Sequence, residues 1–124
     1  MVRTKRAYEP ASRADGLRIL VDRLWPRGVT REAARIDLWL KDVAPSTALR
    51  QWFAHRPERF REFEERYRRE LARSPAREAL AEIMLRAAHG EVTLVYGARD
   101  VVHNHAVFLK RELDDVDGLG DVRE

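Results

Sequence analysis

The sequence predicts an α/β fold: a single three-layer domain with a small, mostly parallel sheet flanked by helices. Three observations point there. Two apolar, β-branched runs, Ile19-Leu20-Val21 and Val92-Thr93-Leu94-Val95-Tyr96, read as strands buried on both faces. Between them lie helical segments whose apolar residues recur at spacings of three and four. After the second run comes another helical segment, which makes the last strand–helix pair half of a βαβ unit.

Taken in order, Val2–Tyr8 alternates weakly and is expected to be an edge strand. Pro10–Gly16 carries Pro, Ser, Asp and Gly and reads as a loop. Leu17–Trp25 is the first strong strand, ended by Pro26-Arg27-Gly28. Thr30 suits the cap of a short helical turn through Ala34. Ile36–Lys41 alternates with period two, which favours a strand over a short helix. Ala44-Pro45-Ser46 breaks it, and Ser46 suits the cap of a short helix through Phe53. Pro57 fits the first turn of a helix over 57–73, where Phe60, Phe63, Tyr67 and Leu71 form one stripe. Ser74-Pro75 starts the next helix as cap and first residue. Ala76, Ala79, Leu80, Ile83, Met84 and Ala87 are its expected buried stripe, and Gly90 fits just past its end. Val92–Tyr96 is the second strong strand. A last helix starts near Asp100 or Asn104 and runs to about Leu113. Residues 114–124 are expected to be an acidic flexible tail, so the domain proper spans 1–113.

Composition narrows the class. The chain has 124 residues, the size of one domain. At 44% hydrophobic residues it can fill one core, which argues against wholesale disorder. No apolar run approaches the ~18 residues of a membrane helix. Met1-Val2-Arg3-Thr4-Lys5-Arg6 has no apolar stretch behind its charges, so no secretory signal is expected and the cytoplasm is the expected compartment. There is no cysteine, which excludes disulfides, thiolate nucleophiles, zinc ribbons and iron–sulfur clusters. Neither GxxxxGK[ST] nor GxGxxG occurs, so there is no P-loop and no dinucleotide fingerprint.

Charge is uneven along the chain. Residues 1–35 hold nine basic and four acidic side chains, and residues 112–124 hold one basic and six acidic. A basic third with Trp25 and Trp39 available to stack is the footprint of a nucleic-acid-binding or regulatory module. Arg outnumbers Lys 21 to 3 and mostly sits beside Glu on helix surfaces, which is also the pattern of an ordinary solvated face.

The polar clusters fall at the carboxyl ends of the two strong strands, where open α/β sheets tend to bind ligands. The first is Asp22-Arg23-Leu24-Trp25-Pro26-Arg27. Charged groups that interrupt an apolar strand must be paired or must face a cavity. Arg23 and Arg27 suit a fork for a phosphate or carboxylate, and Trp25 offers a flat wall. A buried Asp22–Arg pair with Trp25 as a core plug fits the same residues. The second cluster is Arg99-Asp100-Val101-Val102-His103-Asn104-His105. Its imidazoles suit an acid–base group near neutral pH, held in one tautomer by Asp100. Two histidines with a carboxylate also suit Zn, Fe or Mn, but with no downstream HxxxH and no cysteine a metal is the lesser alternative and none is assigned. The structural alternative is Asp100 as a helix cap with one histidine buried in a hydrogen bond. The third cluster is Lys41, Ser46 and Arg50, which extends a positive lining; GxSxG is absent, so Ser46 reads as a cap rather than a nucleophile. His55 and His89 read as solvated residues beside helix ends.

Three stretches together are similar to one known family. Leu20-Val21-Asp22-Arg23-Leu24-Trp25-Pro26-Arg27-Gly28, then Trp39-Leu40-Lys41 with Ala44-Pro45-Ser46 and Leu49-Arg50-Gln51-Trp52, then Thr93-Leu94-Val95-Tyr96 with Ala98-Arg99-Asp100 and His103-Asn104-His105-Ala106, resemble the YeaO-like group of the domain-of-unknown-function family 488. The resemblance covers residues 2–113 and implies a small bacterial or archaeal α/β domain; it carries no reaction. Another branch of that family looks like Cys-Ala-Glu-Lys-Asp followed by His-Cys-His. Here Tyr96 and Asn104 stand at the cysteine positions, so thiol chemistry does not transfer, while Asp100, His103 and His105 match.

The functional expectation is a small enzyme or enzyme-like domain that binds an anionic small molecule or nucleotide. Asp100, His103 and His105 would act as the catalytic group. Asp22, Arg23, Trp25, Arg27, Lys41, Ser46, Arg50, Arg99 and Asn104 would hold the ligand. The alternatives are the nucleic-acid module and a partner-binding domain. The sequence specifies neither a cofactor nor an oligomeric state.

Overall fold

The structure, a computed structural model, describes the side chains of residues 1–115. Four strands form one sheet: β1 (Val2–Arg6), β2 (Leu17–Leu20), β3 (Leu38–Trp39) and β4 (Val92–Tyr96). The spatial order is β1-β4-β2-β3, and all three pairings are parallel. The helices are α1 (Arg31–Ala34), α2 (Thr47–Phe53), α3 (Phe60–Leu71), α4 (Ala76–Ala87) and α5 (His105–Arg123). The α/β class holds, with β1 at the edge. The last helix, expected to end near Leu113, continues as α5 to Arg123, and Glu124 lies outside the described residues.

The pleat divides each strand between two clusters. Ile19 and Val21, with Val92, Leu94 and Tyr96, face the main core with the apolar stripes of α2 to α5. Leu20 and Val95 face a smaller cluster with Ala7, Trp25, Val29, Ile36 and Trp39. That second face is covered by irregular segments and the single turn of α1, so the third layer is thin. Among the described residues no helix is long and apolar enough to cross a membrane.

Three strands are shorter than their patterns suggest, β1 ending at Arg6 rather than Tyr8. β2 stops at Leu20, although the Val21 N–H still reaches the Val95 carbonyl at 3.1 Å. Asp22 and Arg23 therefore lie beyond the sheet end, where each meets one backbone group, rather than inside an apolar strand. β3 keeps only Leu38 and Trp39, because Lys41–Val43 coils into a 3-10 turn after the Leu40 N–H bonds the Leu20 carbonyl.

Helix starts follow local chemistry with two corrections. Ser46 and Thr30 cap as expected, accepting from the Leu49 and Ala33 N–H groups. Pro57–Arg59 is a 3-10 turn that leads into α3. Ser74 does not cap α4: its hydroxyl donates to Glu78 at 2.6 Å, and Pro75 occupies the cap position. Met84 is solvent-exposed rather than part of the buried stripe. The glycine at 16 is required: φ is 62° and a Cβ there would lie 2.3 Å from the Glu91 carbonyl oxygen.

Candidate functional site

Parallel pairing sets β2 and β4 side by side with their carboxyl ends together, and the register Leu20↔Val95 carries Asp22 to Gly97. The Gly97 N–H donates to Asp22 Oδ2 at 2.8 Å. A Cβ on residue 97 would crowd that oxygen at 3.1 Å, so the small residue permits the contact. Over this junction lies a cleft of about 390 Å³, within the usual size range of small-molecule sites.

The two polar loops, distant in sequence, meet in this cleft: Asp22, Arg23, His103, Asn104 and His105 all line it. Its floor includes Phe53 and Phe63. These belong to an aromatic row that supports the imidazoles. His103 sets its edge against Phe60 with centroids 5.3 Å apart, and His105 faces Tyr67 at 6.4 Å.

Each imidazole is oriented by a partner that can only accept a proton. His105 Nε2 lies 3.0 Å from the Val21 carbonyl oxygen, so Nε2 carries a proton, and in the neutral ring the lone pair sits on Nδ1. His103 Nδ1 lies 2.9 Å from Asp100 Oδ2, so Nδ1 donates, and in the neutral ring the lone pair sits on Nε2. Asp100 is in turn fixed by the His103 and Val102 N–H groups, each at 2.9 Å from Oδ1. These backbone donors, and then the His103 ring, hold its carboxyl down to about 2. Asn104, not Asp100, caps α5: its Oδ1 accepts the Val107 N–H at 2.9 Å.

A carboxyl depressed in the fold stabilises it above the ordinary carboxylate range and loses that effect as pH falls towards 2. Asp100→Asn is expected to flatten the fall in stability between about pH 4 and pH 2. Urea unfolding at stepped pH measures it; an unchanged slope overturns the assignment.

Arg23 Nη2 donates to the Ala44 carbonyl at 3.2 Å, while its Nε is buried without a partner. Asp22 Oδ1 stands 3.1 Å from His105 Nε2 yet receives no hydrogen bond. Arg50 lines the cleft, is exposed, and has no ion pair among the described residues.

Six expected residues do not line this cleft: Asp100, which stands behind His103 as its hydrogen-bond partner, and five others. Trp25 donates its indole N–H to the Val29 carbonyl at 2.7 Å and packs edge-on against Trp39 on the other face of the sheet. Arg27 is exposed, and its carbonyl takes the Tyr8 hydroxyl. Lys41 rests over the Trp39 ring. Ser46 donates to Glu70 at 2.5 Å, which suits a cap and not a nucleophile. Arg99 is exposed and does not line the cleft. The structure adds Thr47, Gln51 and His55 to the lining. Their spacing of four along α2 and just past its end was the available signal. Among the described residues no group of three or more His, Asp or Glu is placed to hold a metal ion.

Fold and site together define a small parallel α/β domain with a cleft lined by histidine, arginine and aspartate at the carboxyl ends of two adjacent strands. The chain belongs to the DUF488-N3i family, described as the inactive DUF488-N3 subclade, which matches residues 1–117. It is 45% identical to the uncharacterized protein Rv3073c of Mycobacterium tuberculosis over 113 residues, covering 91% of this chain and 93% of that one. It is 41% identical to the uncharacterized protein YeaO of Escherichia coli over 109 residues, 87% of this chain and 92% of that one. No solved structure matches it significantly. At the two positions where the other branch resembles cysteine, this chain buries Tyr96 and Asn104. Burial raises the Tyr96 phenol, and the neighbouring Asn104 side chain opposes that rise.

Proposed function

We propose that the cleft binds an anionic small molecule or nucleotide, and that the domain is an enzyme-like binder. The observation that carries this is the imbalance of donors. Arg23 keeps a buried Nε–H without an acceptor, and Arg50 stands free at the rim. The one carboxylate lining the cleft, Asp22, is already engaged by Gly97 and set beside His105. A phosphate or carboxylate oxygen would satisfy the open guanidinium, and such charge-assisted bonds are among the stronger ones. The imidazole lone pairs of His103 and His105 would accept from hydroxyl or amine groups of the same ligand. Binding without turnover is favoured by the family's description as inactive and by the absence of any thiol nucleophile.

A panel of nucleotides, sugar phosphates and carboxylates, followed by calorimetric titration, tests the reading. Arg50→Ala is expected to weaken the bound class by tenfold or more, since such a bond is worth about 1.5–3 kcal/mol. Its fold should be intact, because Arg50 is exposed. Arg23→Ala is expected to remove binding. No binder in the panel, or equal affinity in all three proteins, overturns the proposal.

The nucleic-acid reading is the weaker one. Its stacking surfaces are taken: Trp25 and Trp39 pack on each other, with Arg31 over Trp25 and Lys41 over Trp39. No retention on single-stranded or duplex nucleic acid at low salt is the expected result.

A further inference from the structure

We propose a second binding site, for a small oxyanion, on the sheet face opposite α2 to α5. A groove of about 900 Å³ runs there between the loop that follows β1 and the segment from Gly28 through α1. Arg18 lines it and is only 3% exposed. Two of its nitrogens are engaged: Nε donates to the Ala34 carbonyl at 2.9 Å and Nη1 to Asp15 Oδ2 at 2.7 Å. Nη2 is buried and has no partner. Asp15 is shared with Lys5, whose Nζ lies 3.1 Å from Oδ1. Two cations thus face one carboxylate, and the trio, buried at Asp15 and Arg18 and half-buried at Lys5, carries one positive charge in excess.

An open N–H on a buried cation is unfavourable until an acceptor satisfies it. The neighbouring carboxylates are turned elsewhere. Asp37 takes the Arg18 backbone N–H at 2.8 Å, and Glu9 takes the Arg6 N–H at 2.9 Å. A singly charged oxygen ligand in the groove would complete Arg18 and balance the trio together. Glu32 also lines the groove, which disfavours polyanions. The ligand class is therefore a carboxylate or a singly charged phosphate.

The test uses the full chain labelled with ¹⁵N, titrated with acetate in one arm and inorganic phosphate in the other. The Arg18 Nε–H and the backbone amides of Gly28 and Thr30 are followed. The expected result is saturable movement of these signals. Saturation by acetate alone assigns a carboxylate ligand; saturation by phosphate extends the class to phosphates. Arg18→Lys keeps the charge but loses the Nη2 donor, and should weaken binding by about tenfold. Ala33→Trp places a bulky ring in the groove from an exposed position on α1, and should block binding without replacing any member of the trio. Arg50→Ala, in the cleft, should leave this affinity unchanged. Absence of saturation with either anion, movement confined to the cleft, or wild-type affinity in Ala33→Trp overturns the proposal.

Discussion

Asp15→Ala is expected to destabilise the chain by about 3–5 kcal/mol, read as a lower urea midpoint at unchanged slope. Asp15 is 4% exposed and holds four groups at once. Its carboxylate accepts from Lys5 and Arg18 and from the Ser12 N–H at 3.0 Å, while its own carbonyl takes the Thr93 hydroxyl at 2.7 Å. Removal of the side chain leaves Arg18 buried with a second nitrogen unpaired, which is the costly way to break an internal ion pair. Burial alone would raise the Asp15 carboxyl; Ser12, Lys5 and Arg18 outweigh it and hold it below its ordinary value. Its contribution is thus present above the usual carboxylate range and lost as pH falls through the lowered value. Replacing both partners, as in Asp15→Ala with Arg18→Met, should cost less than the sum of the two single changes. Additivity in that cycle would refute the coupling.

Tyr67→Ala is the second large effect, at about 3–5 kcal/mol for an emptied aromatic site. Tyr67 is fully buried between Phe63 and Phe108, with centroids 5.6 and 5.5 Å away. Its hydroxyl donates to the Val43 carbonyl. The next residue, Ala44, offers the carbonyl that holds Arg23, so Tyr67 also fixes one wall of the cleft. Tyr67→Phe keeps the ring but strands the Val43 acceptor, a loss of about 1–3 kcal/mol. Burial, with lesser help from Glu70 and Asp22, pushes the phenol well above its usual value. The unfolded chain then releases that proton first, so stability should fall as pH rises past about 10 in wild type. Tyr67→Phe should lose that part of the alkaline decline. A Tyr67→Phe protein as stable as wild type, with the same alkaline profile, would contradict both statements.

Much of the fold was legible because its causes are local. The Ser46 and Thr30 hydroxyls cap where a short polar side chain meets a helical pattern. The Phe60, Phe63, Tyr67 and Leu71 stripe buries as its spacing demands. Val92–Tyr96 has every residue buried, as an apolar strand covered on both sides must be. The ends of β2 and β3 were not legible, because an apolar run continues past the point where its neighbour strand gives out. At the cleft, the pairing of the Asp22 loop with the His103–His105 loop followed from one rule, that parallel strands gather their carboxyl ends. The rule does not say which side chains turn inward. Trp25 left for the other face and Arg27 for solvent, while Gln51 and His55 entered from a helix whose packing the spacing alone does not orient.

The sequence by itself determined the strands, the capped helices, the absence of thiol chemistry and the two polar loops, since each depends on residues within a few positions of one another. Only the tertiary structure decided that β4 sits between β1 and β2, that His105 meets Asp22, and that Arg18 lies beneath a second groove. Those pairings join residues far apart along the chain, and the periodicity of a segment records which face it buries but not what it is buried against.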